Sequence, residues 1–201
     1  MSEADVIDLV FPLAAGSLRT DYPLPLWLAL RGALPWFSEE ADAGILPIKG
    51  GGHSEGRLIL GGRSRLTLRL PQSRIEQASR LAGLSLDLGS ELRLGEPHGR
   101  ALRPTAAQYS PMVVFGHRGE AEFLDACTQA LEGMGVSGGL VCGKAQGRLG
   151  ETGEVHGFSL MLHGLSAAHA LRLQQRGLGS ARKIGCGIFV SHRTAVAVGA
   201  I

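Results

Sequence analysis

Apolar and polar residues recur along the chain at spacings that predict strands and helices in a definite order. Alternation with a period of two predicts half-buried strands, and apolar residues three and four positions apart predict helices. In the first half, the predicted strands cover residues 6–13, 45–49, the long alternating stretch 57–70, 84–88 and 91–94, and the predicted helices cover residues 23–37 and 72–81.

The second half repeats this order of elements without repeating the sequence. Its predicted strands cover residues 112–115, 139–147, 155–163 and 184–190, and its predicted helices cover residues 120–134 and 166–176. Each half therefore follows a β-α-β-β-α-β order, which is the ferredoxin-like unit. We predict an α+β protein of two tandem ferredoxin-like (RRM-like) halves with antiparallel sheets. They lie at residues 1–96 and 111–201, and the second carries a glycine-rich loop at 177–187.

Composition confines the chain to a folded protein of one or two small domains. It has 201 residues, of which 44% are apolar and 19% are charged, and 30 are glycine. No apolar run reaches the ~18–20 residues that cross a bilayer, and the acidic start differs from a basic secretory signal. Three separated cysteines, Cys127, Cys142 and Cys186, favour neither a disulfide framework nor a zinc site. We therefore expect a cytoplasmic protein with no membrane partner and no small-molecule cofactor.

The net charge of +2 hides a gradient along the chain. Residues 1–56 carry a net charge of −5, and residues 119–201 carry +1. Residues 57–118 carry +6, and all ten of their basic residues are arginine. A basic middle predicts a local anionic partner, and arginine suits phosphate groups and stacking on bases. The alternative is that these arginines only solvate exposed strand faces.

Two glycine-rich segments look like nucleotide-binding loops, and neither has the required context. Residues 138–145 approach a phosphate-binding P-loop, but no Ser or Thr follows Lys144 and the segment lies in a predicted strand. Lys144 and Arg148 remain candidates for phosphate contacts as charges of an exposed strand. Residues 177–187 leave a helix and enter a strand, whereas a Rossmann turn runs in the opposite order.

The loop at 177–187 still has an unusual composition. It combines four glycines, among them Gly179 and Gly185, with Arg182 and Lys183 at its centre. Glycines allow a backbone to approach a ligand closely, and exposed amides beside cations attract anions. We interpret the loop as a cradle for an RNA phosphate. An ordinary turn from a helix to a strand is the alternative.

A longer motif includes this loop and carries a family resemblance. Residues 177–189 read G-L-G-x-x-R-x-x-G-C-G-x-F and follow a predicted helix. On tandem ferredoxin-like halves, this motif resembles the RAMP superfamily of CRISPR-associated proteins. In particular it is similar to the repeat-RNA endoribonucleases of the compact MYXAN type. Residues 8–13, 47–50, 63–71 and 164–166 look like the same subgroup, so the resemblance spans nearly the whole chain.

The resemblance implies an activity and a set of partners. The activity is cleavage of CRISPR repeat RNA without a metal ion, leaving a 2′,3′-cyclic phosphate and a 5′-hydroxyl. The implied partners are a repeat RNA stem-loop, the mature CRISPR RNA that the nuclease retains, and other subunits of a CRISPR effector complex. Neither a metal site nor a cofactor is expected.

Cleavage of this kind needs proton transfer, for which histidine is the best single side chain. In the resembled family the catalytic histidine commonly follows the first helix, which here points to His53 as general acid or base. Lys49, four residues earlier, is the expected cation. His98, in the connector between the halves, is the second choice. The remaining five histidines are expected to be structural or solvated: His117, His156, His163, His169 and His192.

Further basic residues are candidates for binding the RNA backbone. Arg63, Arg65 and Arg69 share one parity in the long alternating stretch, so we expect them in a row on one exposed sheet face. Arg103 in the connector is a further candidate for binding the RNA backbone. The few aromatic residues, 5% of the chain, favour reading of an RNA stem over stacking on single-stranded bases.

Two other functions stay open at this point. One is a catalytically inactive RAMP subunit that only holds RNA in an effector complex. The other is a tandem ferredoxin-like sensor of small ligands, which would leave the arginine row and the basic loop without a purpose.

Overall fold

The computed structural model describes residues 5–192, in which thirteen strands and four helices follow one another. The strands are β1 (Val6–Pro12), β2 (Gly16–Arg19), β3 (Gly44–Leu46), β4 (Gly52–Ser54), β5 (Arg57–Leu60), β6 (Arg65–Pro71), β7 (Ser85–Asp87), β8 (Glu91–Arg93), β9 (His98–Arg100), β10 (Gln108–Val113), β11 (Gly139–Gly150), β12 (Gly153–His163) and β13 (Val190–Ser191). The helices are α1 (Pro23–Ala33), α2 (Ile75–Ser79), α3 (Glu120–Gly133) and α4 (Ala167–Arg176), and short 3₁₀ turns occur at Pro35–Ser38, Gln72–Arg74 and Arg182–Ile184.

The first main sheet has the strand order β3-β6-β1-β9, with every neighbouring pair antiparallel. Helix α1 lies between β1 and β3 in the chain, and α2 lies between β6 and β9. These six elements form a β-α-β-β-α-β unit. A hairpin of β7 and β8 and a small sheet of order β2-β5-β4 are added to it.

The second main sheet has the order β11-β12-β10-β13, which is the same arrangement as in the first. Helices α3 and α4 bury Phe123, Cys127 and Leu173 against Leu160 and Leu162 of β12. Ser166 caps α4 by accepting a hydrogen bond from the backbone N–H of His169. Both halves therefore have the β-α-β-β-α-β order. In the first half, however, β9 is the closing strand, and the predicted strands 84–88 and 91–94 form the separate β7–β8 hairpin.

The residues divide into two compact units. The first unit comprises residues 5–102 together with the segments 148–155 and 181–186. The second comprises residues 103–147, 156–180 and 187–192. The chain thus changes unit inside the predicted connector. The tip of the β11–β12 hairpin and the centre of the glycine-rich loop, which the pattern assigns to the range 111–201, belong to the first unit.

Several predicted elements differ from the observed ones, including those at residues 57–70, 72–81 and 184–190. The alternating stretch 57–70 is two strands rather than one, because a turn at Gly61–Ser64 sends β5 to the small sheet and β6 to the main sheet. The predicted helix 72–81 is a 3₁₀ turn followed by the short α2. The predicted strand 184–190 contains only the start of β13, since Gly185 and Gly187 have positive φ angles.

A buried ion pair joins β1 to β6. Asp8 lies directly opposite Arg69 in the strand register, and the Arg69 Nε donates to the Asp8 Oδ1 at 2.8 Å. Arg100 of β9 donates to the other carboxylate oxygen at 3.0 Å. The Arg69 side chain is only 1% exposed. A guanidinium so enclosed is part of the protein interior, so Arg69 does not belong to an exposed row of RNA-binding arginines.

Removing one partner of this ion pair tests how much the pair contributes to the stability of the fold. Arg69→Ala is expected to lower the free energy of unfolding by about 3–5 kcal/mol, because it leaves the buried Asp8 carboxylate without its main partner. Urea unfolding measures the change. Arg19→Ala, which breaks the exposed Arg19–Asp21 pair, is the control and should leave the urea midpoint nearly unchanged. Equal urea midpoints for the two variants would contradict the assignment of Arg69 to a buried ion pair with Asp8.

Candidate active site

A cleft of about 540 Å³ in the first unit brings together polar side chains from three separate parts of the chain. Tyr22 comes from the start of α1, Lys49 and His53 come from the segment between β3 and β5, and Arg148 comes from the tip of the hairpin. The cleft therefore combines two cations, an imidazole and a phenol. This set suits a ligand that carries negative charge and exchanges protons.

Lys49 and His53, the predicted cation and proton-transfer residue, both line this cleft. Lys49 follows the buried Ile48, and His53 is the central residue of β4, opposite Leu58 of β5. Strand pairing fixes the backbone of His53, while the side chains of Lys49 and His53 are exposed. The structure thus places the two sequence candidates in one cleft.

Tyr22 is a cleft residue that the sequence pattern did not indicate. Its side chain is buried, and its hydroxyl oxygen accepts a hydrogen bond from the backbone N–H of Ile48 at 2.8 Å. Burial raises the pKa of Tyr22 above its ordinary value of 10.0, so the phenol keeps its proton. A tyrosine just before a proline-started helix carries no local signal of this role, because its partner is 26 residues away.

Arg148 reaches the cleft because the hairpin tip is anchored within the first unit. Glu151, at the turn of the hairpin, accepts hydrogen bonds from the Trp27 indole and from Arg31 of α1. The Arg148 guanidinium donates to the backbone oxygen of Ile184. These contacts hold the guanidinium at a fixed place beside the cleft.

The centre of the glycine-rich loop forms protein contacts in place of the predicted phosphate cradle. The Arg182 guanidinium is buried and donates to the backbone oxygen of Asp42 at 2.7 Å. The Lys183 ammonium donates to the backbone oxygens of Glu40 and Ala43 at 2.6 and 2.8 Å. It also lies 4.4 Å from the centre of the Phe37 ring. Both cations are therefore engaged by residues 40–43, whereas the predicted RNA cradle needs them at an exposed phosphate site.

The predicted glycines of this loop are also explained by the protein itself. Gly179 has a φ of +74° and would place a Cβ 2.4 Å from the backbone oxygen of Val114. Gly185 has a φ of +83° and would place a Cβ 3.3 Å from the backbone oxygen of Ile45. Close backbone approach and a left-handed conformation require glycine at both positions. Neither requirement needs a ligand.

Comparison with known proteins decides the family. The sequence model described as Cas6 Crispr matches residues 7–194, nearly the whole chain. The chain belongs to the Cas6 family. A curated protein of Myxococcus xanthus (strain DK1622), named CRISPR-associated endonuclease Cas6, is 36% identical over 186 residues. These residues are 92% of this chain and 80% of that protein, so the resemblance inferred from the sequence is confirmed.

Solved structures with little sequence identity share the fold. One described as CRISPR associated protein Cas6 has a TM-score of 0.67 at 10% identity, covering 94% of this chain and 100% of the other. A RAMP protein binding different RNA substrates has a TM-score of 0.67 at 12% identity, covering 92% and 98%. The product of a Cas6-related gene from Pyrococcus furiosus has a TM-score of 0.66 at 13% identity, covering 92% and 97%. The predicted fold class is confirmed.

In this Cas6 family member, the three arginines predicted as a row are not equivalent. Arg63 is exposed in the turn between β5 and β6. The Arg65 guanidinium donates to the backbone oxygens of Gly62 and Ser64, which ties it to the same turn. Arg69 is buried against Asp8. The row does not form because β6 lies between β3 and β1, and six of its seven residues are buried.

The remaining candidates lie outside the cleft lining. Lys144 is exposed on β11, and Arg103 is exposed at the start of the second unit. His98 is exposed on β9, where its backbone pairs with Val10. Between residues 5 and 192, no three side chains of His, Cys, Asp or Glu are grouped so that they could hold a metal ion. No helix in that range is long and apolar enough to span a membrane.

The docking of Lys183 predicts a measurable pH dependence in this Cas6 family member. Burial, and then the neighbouring Arg182 charge, lower the pKa of Lys183 from 10.5 to about 8. Between these values the unfolded chain binds a proton that the folded chain does not, so the unfolding free energy rises with pH from about 8 toward 10.5. We expect this rise in urea unfolding of the wild type relative to Lys183→Met. Parallel pH profiles for the two proteins would contradict a desolvated Lys183.

Proposed function

We propose that this protein is an endoribonuclease that binds CRISPR repeat RNA and cuts it in the cleft of the first unit without a metal ion. The observation that carries the proposal is the meeting of His53, Lys49, Tyr22 and Arg148 in that cleft. The curated relative is named an endonuclease, and the relatedness covers most of both chains. A proton-transfer group flanked by cations is what RNA cleavage through the 2′-hydroxyl requires.

The reaction moves two protons and exchanges one bond to phosphorus for another. The 2′-oxygen loses its proton and forms a bond to the adjacent phosphorus, and the bond from phosphorus to the 5′-oxygen breaks. The 5′-oxygen gains a proton. The products are a 2′,3′-cyclic phosphate and a 5′-hydroxyl, so no water and no metal-bound oxygen is consumed. His53 transfers one of these protons as general acid or general base.

The other cleft side chains stabilise charge and position the phosphate. Lys49 and Arg148 offset the extra negative charge that develops on the phosphate oxygens in the transition state. The Tyr22 oxygen already accepts the Ile48 N–H, so its own proton is directed to an acceptor other than that backbone group. A non-bridging phosphate oxygen in the cleft is a suitable acceptor. Tyr22 thereby acts as a neutral donor beside the two cations.

The proposed partners are the repeat RNA stem-loop before the cut and the mature CRISPR RNA after it. Exposed basic residues outside the cleft, namely Arg63, Arg103 and Lys144, are available for contacts with the RNA backbone. Subunits of a CRISPR effector complex are further proposed partners. We propose that the protein binds and cuts RNA in the cytoplasm. This location agrees with its three cysteines, which are all free thiols.

The central test is removal of the imidazole. His53→Ala is expected to lower the single-turnover cleavage rate of repeat RNA in EDTA by about 10²-fold or more, because one proton transfer loses its catalyst. The affinity for the RNA should stay within about twofold, since Lys49 and Arg148, the cations proposed to contact the phosphate, are both retained. Gel analysis of end-labelled RNA measures cleavage, and filter binding measures affinity.

His163→Ala is the matched control, because His163 is exposed on β12 and lies outside the cleft lining. It should cut at the wild-type rate. His98→Ala should do so too, since His98 lies on β9. Undiminished cleavage by His53→Ala removes His53 from the mechanism. Binding without any cleavage by the wild type identifies the protein as an inactive RNA-holding subunit.

A further inference from the structure

A second groove, of about 300 Å³, lies entirely within the second unit. One wall is the loop after β10, with His117 and Arg118, and the other is formed by β11 and β12, with Gln146 and His156. Phe158 of β12 is largely buried at its base. Neither Lys49 nor His53 lines this groove, so it is separate from the cleft of the first unit.

Arg118 is the charged group of this groove. Its guanidinium lies 2.8 Å from the His156 Nε2, and because a guanidinium only donates, this ring nitrogen is the acceptor. No carboxylate within residues 5–192 forms an ion pair with Arg118. Among the groove-lining residues none is acidic. The nearest acidic residues in the sequence are Glu120 and Glu122 of α3, and the Glu122 carboxylate is folded back toward Gly119 at the helix start.

Gln146 adds a directional acceptor next to this charge. Its Nε2 donates to the backbone oxygen of Pro111 and is thereby held in place. The Gln146 carboxamide oxygen forms no hydrogen bond with any residue in the range 5–192. His117, on the opposite wall, is exposed and likewise forms no hydrogen bond there. The groove thus offers a guanidinium, a fixed carboxamide oxygen and an unengaged imidazole within one small volume.

These groups match one nucleotide better than they match an inorganic anion. An anion uses only the donors, whereas a nucleotide also presents a 2′-hydroxyl or a base amino group to an acceptor such as the Gln146 oxygen. Solvent-exposed arginine without an acidic partner is free to bind a phosphate in a fork geometry. The volume lies at the lower end of ligand pockets, which suits one nucleotide and excludes a folded stem.

We propose that this groove is a second RNA subsite, which binds one nucleotide with its phosphate on Arg118 and its sugar or base edge on Gln146. The inference rests on the proposed function, because that function supplies RNA as the ligand. It gives His117, Arg118, Gln146 and His156 a role that the sequence pattern did not assign. The subsite contributes to affinity and takes no part in the chemical step.

Arg118→Ala tests this subsite through binding rather than cleavage. The affinity for end-labelled repeat RNA should fall roughly fivefold to tenfold, and the slope of log K against log salt should decrease by about 0.7–0.9. Cleavage at saturating protein should keep the wild-type rate. Gln146→Ala should weaken binding without changing the salt slope, since it removes no charge. Wild-type urea midpoints for both variants show that they are folded.

Arg80→Ala is the charge-matched control, because Arg80 is an exposed arginine of the first unit outside both pockets. Equal affinities and salt slopes for Arg118→Ala and Arg80→Ala would overturn the subsite, whether or not the wild type cuts. If the wild type binds and does not cut while Arg118→Ala binds more weakly, the proposed cleavage fails and the subsite stands.

Discussion

Two cations of the glycine-rich loop donate hydrogen bonds to backbone oxygens of residues 40–43. The position of the loop beside the cleft depends on this contact. Arg182 reaches Asp42, and Lys183 reaches Glu40 and Ala43. A cation withdrawn from water depends on protein oxygens for its hydrogen bonds, so these contacts hold the loop and residues 40–43 together. The same loop accepts the Arg148 guanidinium at Ile184. Residues that look like an RNA cradle therefore serve to position the guanidinium that lines the cleft.

The repeated order of strands and helices was predictable because periodicity is a local property. Helix α3 and strands β11 and β12 lie close to their predicted positions for this reason. Arg69 was not predictable in the same way. Alternation of arginine and leucine predicts one exposed face, but a central strand is covered on both faces. Asp8, a lone acid in an apolar strand, was the available signal that a buried basic partner existed.

The candidate site shows a similar division. Lys49 and His53 could be predicted as site residues from the sequence, because they lie four residues apart and the family resemblance pointed to their region. Tyr22 and Arg148 join them only through tertiary contacts with Ile48 and Ile184, which no local pattern reports. In the interpretation of both grooves, the charge gradient of the chain matters less than which cations of residues 5–192 lack an acidic partner.

The central claim is that RNA is cut in the first unit by its own 2′-hydroxyl, with protein side chains as the only catalysts. The most direct measurement uses repeat RNA with a single 2′-deoxy nucleotide at the mapped cleavage position, incubated with the wild-type protein in EDTA. We expect this RNA to bind with unchanged affinity and to stay uncut, while the all-ribose RNA is cut at that position. Cleavage of the deoxy RNA, or loss of all-ribose cleavage in EDTA, would contradict the account.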